Sequence, residues 1–153
     1  MKIDTLRFGT IEVDESRVIT MKGCILGFNH LQRYIILIQD KKTPLCWLQS
    51  LEDGAVAFVV IDPHMVKPDY RPEINKVHWE FLGISREEDL CLLSIVTIRR
   101  EPFGVTANLR APLVINMDQR LGRQVVLEDA DYPVRYDISS TEEKVEITTV
   151  ASL

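Results

Sequence analysis

The amino-acid sequence predicts an all-β fold: a small antiparallel domain, barrel-like or sandwich-like, of about nine or ten strands with one or two short helical turns. Short apolar segments alternate with turn residues at intervals of roughly eight to twelve positions, a spacing typical of sandwiches and barrels. Many of these segments are rich in valine and isoleucine, which favour strands. With 153 residues, the chain is long enough for one domain with a hydrophobic core.

The strands of the first third are separated by glycines and by short polar turns. KIDTLRFGTIEV breaks at Gly9, as a hairpin or a sharply bent strand would. After SRVITM, the segment GCILGF places Gly23 and Gly27 around a tight connection, where glycine tolerates a positive φ. The apolar runs YIILIQD and LCWLQS then lie on either side of the turn-like KKTP.

The middle of the chain is interrupted by prolines. The β-branched run AVAFVVID ends at Pro63, and the prolines that follow exclude a long helix through residues 63 to 72. From Glu73 to Leu82 the apolar residues fit either a helical stripe or an alternating strand. We favour the strand, because nearly every other segment is β.

A short helical turn is predicted just before the longest apolar run. Ser85 and Glu88 in SREEDL have the spacing of a capping box, in which each side chain binds the backbone amide of the other residue. The turn leads into the strand DLCLLSIVTIRR, where Ile95, Val96 and Ile98 favour extended backbone.

The segment TANLRAPLVIN combines a strand with residues that are unusual inside one. Pro112 cannot donate to a β-ladder, so it indicates an edge strand, a bulge or a bend. Leu113 and Ile115 are expected on one face of the strand. The amides of Asn108 and Asn116 suit two roles, the stapling of turns at the strand ends and hydrogen bonds to a partner's backbone. Both roles stay open.

Trp47 in LCWLQS has two alternative positions. If Cys46 and Leu48 face the core, Trp47 lies on the opposite face of the sheet, since side chains alternate along a strand. An outward tryptophan would suit a binding hot spot. The alternative is that Trp47 is buried and Leu48 faces outward, and the sequence does not decide between them.

Charge is distributed unevenly along the chain. The net charge is −5, and residues 128 to 153 hold seven acidic and two basic residues, so residues 1 to 127 are neutral with 16 of each sign. A neutral body with an acidic end argues against nucleic-acid binding, which requires clustered Lys and Arg. We expect one domain over residues 1 to 137 and a poorly ordered acidic tail over residues 138 to 153.

The sequence lacks the patterns of a catalytic, cofactor or metal site. Cys24, Cys46 and Cys91 are far apart and form no C-x-x-C pair, so neither a structural zinc site nor a disulfide framework is expected. The three histidines show no metal-ligand spacing, and no nucleotide-binding or nucleophile motif occurs. No segment resembles a signal peptide or a membrane span, so we expect the protein in the cytoplasm.

Two alternative functions stay open at this point. A β-barrel enzyme would assemble its site from scattered residues such as Asp62, His64 and Arg99, and it predicts a deep polar cleft where they meet. An OB-like barrel would bind nucleic acid by stacking bases on aromatic side chains. It predicts a basic groove lined by tryptophan or phenylalanine.

Four segments carry a resemblance to a known family. They are GCILGFNHLQRYIIL, PLCWLQSLEDGAVAFVVIDP, TANLRAPLVINMDQRLGRQVVLED and YPVRY. Together, in this order and spacing, they resemble the flagellar assembly factor FliW family over residues 3 to 137. The most specific part is T-A-N-L-x-A-P-L-V-I-N followed by R-x-G-x-Q-V-V-L.

The resemblance implies a non-enzymatic binding protein that is monomeric when free and has two competing partners. FliW proteins bind the C-terminal region of newly made flagellin as chaperones. When flagellin is exported, the free protein binds and antagonises the translational regulator CsrA, which couples flagellin synthesis to export. Because flagellin termini are amphipathic helices, we expect a complementary apolar surface.

Residue type and position in these motifs suggest which residues bind each partner. We expect a flagellin-binding surface near Trp47, Ser50, Asn108, Asn116 and Arg120. CsrA binds RNA and is expected to be basic, so an acidic surface is its natural complement. The candidates for that surface are Glu128, Asp129 and Asp131.

Overall fold

A computed structural model describes residues 1–23, 25–128 and 131–139. The strands in this part of the chain are β1 (Lys2–Thr5), β2 (Gly9–Glu12), β3 (Ile19–Met21), β4 (Arg33–Leu37), β5 (Cys46–Ser50), β6 (Ala57–Ile61), β7 (Leu90–Arg100), β8 (Phe103–Ala107), β9 (Leu113–Asn116), β10 (Leu121–Gln124) and β11 (Tyr136–Asp137). Helix α1 spans Lys76–Phe81, and 3-10 turns span Glu15–Arg17, Pro63–Met65 and Glu87–Asp89. No helix in the described ranges is long and apolar enough to cross a membrane. The predicted all-β class is confirmed.

Seven strands form a closed barrel. Their order is β3–β4–β5–β6–β7–β9–β10, and β10 returns to β3. The neighbours are antiparallel except β10 and β3, which pair in parallel with Leu121 opposite Thr20. β8 and β11 extend the sheet beyond β7. The predicted barrel is therefore confirmed, with one parallel pair that the sequence did not predict.

Strand β7 joins the barrel to this extension. One of its edges pairs with β9 over Leu90–Leu93 and with β8 over Val96–Arg100. Its other edge pairs with β6 over Ser94–Val96 alone. β6 ends at Ile61 because Pro63, which cannot donate to a ladder, begins a 3-10 turn. Among the described residues, no strand lies beside the first part of β7 on this side.

The β1–β2 hairpin forms a separate two-stranded sheet that lies on the barrel. Leu6 N donates to the carbonyl oxygen of Gly54 at 2.9 Å. A β-carbon at Gly54 would lie 2.1 Å from the carbonyl oxygen of Asp4, so only glycine permits this close approach. The turn of the hairpin places Arg7 and Phe8 against the ring of Trp47.

The hydrophobic core has an inner part and an outer part. Leu113 and Ile115 belong to the cluster that fills the barrel. Val114 belongs to an outer cluster with Leu82, and a second outer cluster surrounds Tyr70. The alternation along β9 places Leu113 and Ile115 on one face, which confirms the prediction.

The predicted strand between Glu73 and Leu82 is wrong, because Lys76–Phe81 forms an α-helix. The side chain of Asn75 accepts a hydrogen bond from Val77 N at 3.0 Å, which satisfies an amide that has no partner at the helix start. Trp79 packs against the outer cluster around Leu82. The helical stripe was therefore the correct interpretation of this segment.

The helical turn before β7 is confirmed, but its predicted cap is wrong. The 3-10 turn Glu87–Asp89 begins after Arg86, and no side-chain hydrogen bond caps it. Ser85 stands one residue too early for the capping role. Arg86 Nε instead donates to a carboxylate oxygen of Asp89 at 3.0 Å, which ties the turn together.

Pro112 lies between a bend at residues 109–111 and the start of β9. Its carbonyl oxygen accepts a hydrogen bond from Val125 N at 3.0 Å. The strand itself is not at an edge, since it pairs with both β7 and β10. The prediction of an edge strand is therefore wrong, and the predicted bend directly precedes the proline.

The folded part continues to the last described residues. Ile138 is buried, and its N–H donates to the carbonyl oxygen of Val105 at 3.0 Å. Of the predicted acidic tail over residues 138 to 153, residues 140 to 153 lie outside the described residues, so their order stays a prediction.

Candidate partner-binding surfaces

Trp47 lies on the outer face of the barrel wall but is not accessible. Only 3% of its surface is exposed, because the β1–β2 hairpin covers it. The guanidinium carbon of Arg7 lies 4.6 Å from the ring centroid, and Phe8 meets the ring edge to face at 5.7 Å. Trp47 Nε1 donates to Gln39 Oε1 at 3.2 Å. The side chain holds the hairpin on the barrel.

Ser50 is buried at the turn between β5 and β6. Its hydroxyl oxygen accepts from Glu52 N at 3.2 Å and from Asp53 N at 3.1 Å. Next to it, the buried amide of Gln49 donates to three backbone carbonyl oxygens, one of them that of Gly54. These contacts fix the turn on which the hairpin rests.

Asn108 and Asn116 staple the two ends of the segment around β9. Asn108 Oδ1 accepts from Arg110 N at 3.1 Å and from the following amide at 3.0 Å. Asn116 is buried; its Nδ2 donates to the carbonyl oxygen of Leu82 at 2.8 Å, and its Oδ1 accepts from Asp118 N at 3.0 Å. Both amides have the structural role that the sequence allowed.

Arg120 stands at the turn between β9 and β10 in the left-handed region, with φ 57°. Its carbonyl oxygen accepts from Thr20 N at 3.0 Å, and this bond is part of the barrel closure. Its side chain is half-exposed. Of the acidic candidates, Glu128 and Asp131 are exposed, and Asp129 lies outside the described residues.

The five residues predicted to bind flagellin do not form one exposed surface in this conformation. Trp47, Ser50 and Asn116 are buried, so they cannot touch a partner directly without a rearrangement. Asn108 and Arg120 are half-exposed. Contact between any of the five and a partner stays a prediction.

The residues proposed for an enzyme site do not converge. His64 Nδ1 lies 3.0 Å from Asp62 Oδ1, which also accepts from His64 N and caps the 3-10 turn. Arg99 lies near the far end of β7, opposite Gly104 of β8, and does not line the cavity beside His64. No group of three or more potential metal ligands occurs in the described part of the chain.

The rings of Trp47 and Phe58 are not arranged for stacking nucleic-acid bases. A cavity between β6 and β7 is lined by Arg7, Trp47, Phe58 and Arg100, the residue types that an OB-like barrel predicts. The ring of Trp47, however, is already covered by Arg7. Phe58 packs edge to face against Phe28 at 5.0 Å in the barrel core. Trp47 is therefore closed to stacking, and Phe58 contributes to the barrel core.

Helix α1 carries an exposed apolar surface, which we call the α1 ridge and define as Val77 and Phe81. These residues are four positions apart and therefore lie on one face of the helix; they are 55% and 46% exposed. The guanidinium carbon of Arg123 lies 4.1 Å and Lys22 Nζ lies 5.9 Å from the centroid of the Phe81 ring. The ridge is thus an apolar strip beside two cations.

His78 lies next to the α1 ridge. Its Nδ1 is 3.4 Å from Arg123 Nη1. Burial, and then the charge of Arg123, lower the pKa of the His78 imidazole below its ordinary value. The neutral imidazole is therefore the form that the fold favours.

A cavity of about 680 Å³ follows the open edge of β7, and we call it the β7 slot. All residues of Leu90–Leu93 are half-buried, although alternate side chains point into the barrel and away from it. An open edge accounts for this uniform exposure. The charged and apolar residues that line the slot with this edge include Asp62, Arg71, Glu87, Ile74, Trp79 and Met117.

Sequence reasoning missed both the α1 ridge and the β7 slot. The spacing of Val77 and Phe81, together with the capping residue Asn75, was a usable signal for the ridge. No comparable signal existed for the slot, because it depends on where β6 ends relative to a strand that begins 29 positions later at Leu90.

Comparison with known proteins gives a consistent result. The family model described as "FliW protein" matches residues 2–138. A protein of Syntrophus aciditrophicus called "Flagellar assembly factor FliW" is 52% identical over 143 residues, which covers 94% of this chain and 90% of that protein. A protein of the same name from Geobacter sulfurreducens is 36% identical, covering 89% of this chain and 85% of that protein.

A solved structure has the same fold. It is described as "Crystal structure of the flagellar assembly factor FliW", and it superposes on this chain with a TM-score of 0.83 at 33% sequence identity. The match covers 93% of this chain and 99% of that chain.

Proposed function

Because the chain belongs to the FliW family of flagellar assembly factors, we propose that it works in the cytoplasm without catalysing a reaction and binds the C-terminal region of flagellin as a chaperone. The observation that carries the proposal is the family match over residues 2–138. An assembly factor needs protein partners, and Arg99 lies apart from the Asp62–His64 pair, so the three residues give no support to the catalytic site that we considered.

The α1 ridge supports a role in shielding an amphipathic helix. Val77 and Phe81 remain exposed, whereas Trp79 of the same helix packs on the outer cluster around Leu82. Amphipathic helices bind apolar strips of this kind through residues three or four positions apart. Covering the apolar face of a flagellin terminus before export would also prevent its aggregation. The ridge is therefore our candidate for flagellin contact.

The second part of the proposal concerns CsrA. Free protein, released when flagellin leaves the cytoplasm, binds this translational regulator and antagonises it, which couples flagellin synthesis to export. The exposed carboxylates of Glu128 and Asp131 suit a basic partner, since opposite charges across an interface favour association.

The flagellin proposal is tested by titrating the C-terminal flagellin segment of the same organism into this protein in a calorimeter. Wild type should bind with one segment per chain. Phe81→Ser should weaken binding at least about tenfold, since exposed aromatic anchors often dominate an interface. Ile38→Ser is the matched control, because Ile38 is 62% exposed but follows the far end of β4.

Each outcome of this titration has a defined meaning. No heat and no co-elution with wild type would contradict flagellin binding. Equal losses in Phe81→Ser and Ile38→Ser would contradict the assignment to the α1 ridge. For CsrA, the same titration is repeated with and without saturating flagellin segment, and binding that is unaffected by the segment would contradict competition.

A further inference from the structure

The β7 slot exists because no strand in the described part of the chain pairs with the first part of β7 on its β6 side. β6 covers the edge of β7 only where Ile61 pairs with Ser94 and in the two pairs beyond it. The Asp62 side chain then accepts from His64 N and turns the chain away. Beside Leu90–Leu93, the place of the next strand is a cavity.

The backbone of β7 points hydrogen-bonding groups into this cavity. The carbonyl oxygen of Asp89 accepts from Met117 N at 3.0 Å on the β9 side. The carbonyl oxygen of Ile95 accepts from Asn108 N at 2.9 Å on the same side. Backbone groups of successive residues point to opposite edges of a strand. The odd-numbered residues between Asp89 and Ile95 therefore face β9, and Leu92, at an even-numbered position, directs its N–H and C=O into the slot.

The size of the slot suits a short extended peptide. Its volume of about 680 Å³ lies in the range of binding cavities, and its open edge of four residues is about 13 Å long at the rise of a strand. Trp79 and Ile74 offer apolar surface on the outer side, and Met117 lies at the end beside the barrel core.

The charged rim of the slot is mainly acidic. Asp62, Glu87 and Glu88 line it, against one arginine, Arg71. Glu88 also lies 3.7 Å from Arg86 outside the slot, and Asp62 Oδ1 accepts from His64 N, so Glu87 contributes most directly to the negative potential. A bound segment with lysine or arginine complements this rim.

We propose that the β7 slot binds an extended, apolar segment of a protein partner that carries lysine or arginine, and that the segment adds a strand beside Leu90–Leu93. The proposal rests on the proposed function only in that this chain binds proteins. Backbone hydrogen bonds to Leu92 hold the segment, alternate apolar side chains contact Trp79 and Met117, and its cations face Asp62 and Glu87. The slot is separate from the α1 ridge.

The direct test is amide hydrogen exchange by NMR, with the blocked peptide Ac-VKVKVKV-NH2 as the probe and Ac-VEVEVEV-NH2 as its acidic match. Saturation with the basic peptide should slow exchange at Leu92 at least about tenfold. The amide of Leu93 is the internal control, since it faces β9 opposite Leu113 and its exchange should not change. The acidic peptide should protect neither amide.

Charge reversal at the rim provides a second readout. Glu87→Lys should weaken binding of the basic peptide about tenfold, because it replaces an attraction by a repulsion. Glu101→Lys is the matched control, since Glu101 is also exposed but follows the opposite end of β7. Its affinity for the peptide should change less than about twofold.

Four results would overturn the proposal. They are binding of the basic peptide without protection of Leu92, equal binding of the acidic peptide, protection of Leu92 in the free protein that increases with protein concentration, and protection that disappears when residues 140–153 are removed. The last two results would assign the slot to a second copy or to the chain's own end.

The outcomes also separate this proposal from the proposed function. If flagellin and CsrA bind wild type and Glu87→Lys equally while Leu92 stays unprotected, the assignment of the slot as a binding site is wrong and the proposed function stands. If neither protein binds wild type, the proposed function is wrong.

Discussion

Replacing Gly54 with alanine tests whether the close backbone approach at Gly54 contributes to holding the β1–β2 hairpin on the barrel. The new β-carbon would lie 2.1 Å from the carbonyl oxygen of Asp4, so the hairpin has to move by about 1 Å or more to restore van der Waals separation. Overpacking of this kind costs about 1–3 kcal/mol. The movement also weakens the hydrogen bond from Leu6 N, which contributes about 1 kcal/mol.

We therefore expect the free energy of unfolding of Gly54→Ala to fall by about 2–4 kcal/mol in urea titrations. Displacement of the hairpin should uncover Trp47, shift its emission to longer wavelength and make it accessible to iodide. Gly27→Ala is the matched control: its β-carbon would meet nothing within 4 Å, and only the positive φ of 89° is strained, at about 1 kcal/mol. If Gly54→Ala loses no more stability than Gly27→Ala and leaves the emission unchanged, the reasoning is refuted.

Three further predictions concern buried or partly buried polar groups. Asn116→Ala leaves the carbonyl oxygen of Leu82 without its side-chain donor and should cost about 2–4 kcal/mol in chemical denaturation; a loss below about 0.5 kcal/mol would contradict the stapling role. Tyr70→Phe removes the 2.7 Å hydrogen bond to the carbonyl oxygen of Leu109 and should lower the free energy of unfolding by about 1–3 kcal/mol without altering the far-UV circular dichroism spectrum. An unchanged free energy of unfolding would show that this bond contributes nothing. The folded-state pKa of His78 is lowered from its ordinary value of 6.5, so the unfolded chain binds the proton first as the pH falls. The stability contributed by the neutral imidazole is therefore present above pH 6.5 and lost below it. Between about pH 7.5 and 5, wild type should lose more unfolding free energy than His78→Gln, and parallel pH profiles would contradict this.

The fold class followed from the sequence because its signals are local. Turn residues between short β-branched runs predict strands wherever they occur, and alternation placed Leu113 and Ile115 on one face. The parallel pairing of β10 with β3 joins segments far apart in the chain, and no local pattern specifies which distant strand closes a barrel.

The secondary structure of the short helix α1 was likewise not determined by its local sequence pattern. Val77 and Phe81 fit two periodicities over so few residues, and the β-rich surroundings favoured the wrong one. The packing of Trp79 on the outer cluster decided for the helix, and that contact depends on strands elsewhere in the chain.

The candidate sites were harder to predict than the fold. Trp47, Ser50 and Asn116 stand in the segments that carry the family resemblance, and residue types that suit binding also suit the fixing of turns. In this chain they are buried and hydrogen-bonded to backbone or side-chain partners. Exposure, which separates the two roles, depends on the β1–β2 hairpin and on helix α1, whose positions come from tertiary contacts.

The pairing of β10 with β3 also affects how the chain acquires its structure during synthesis. Thr20 and Leu121 are roughly a hundred positions apart, so this contact has a high contact order and a large loop-closure cost. A nascent chain has to emerge from the ribosome past Gln124 before its barrel can close. Until then β3 and β9 each lack one neighbouring strand, so closure of the barrel waits for the synthesis of β10, the last of its seven strands.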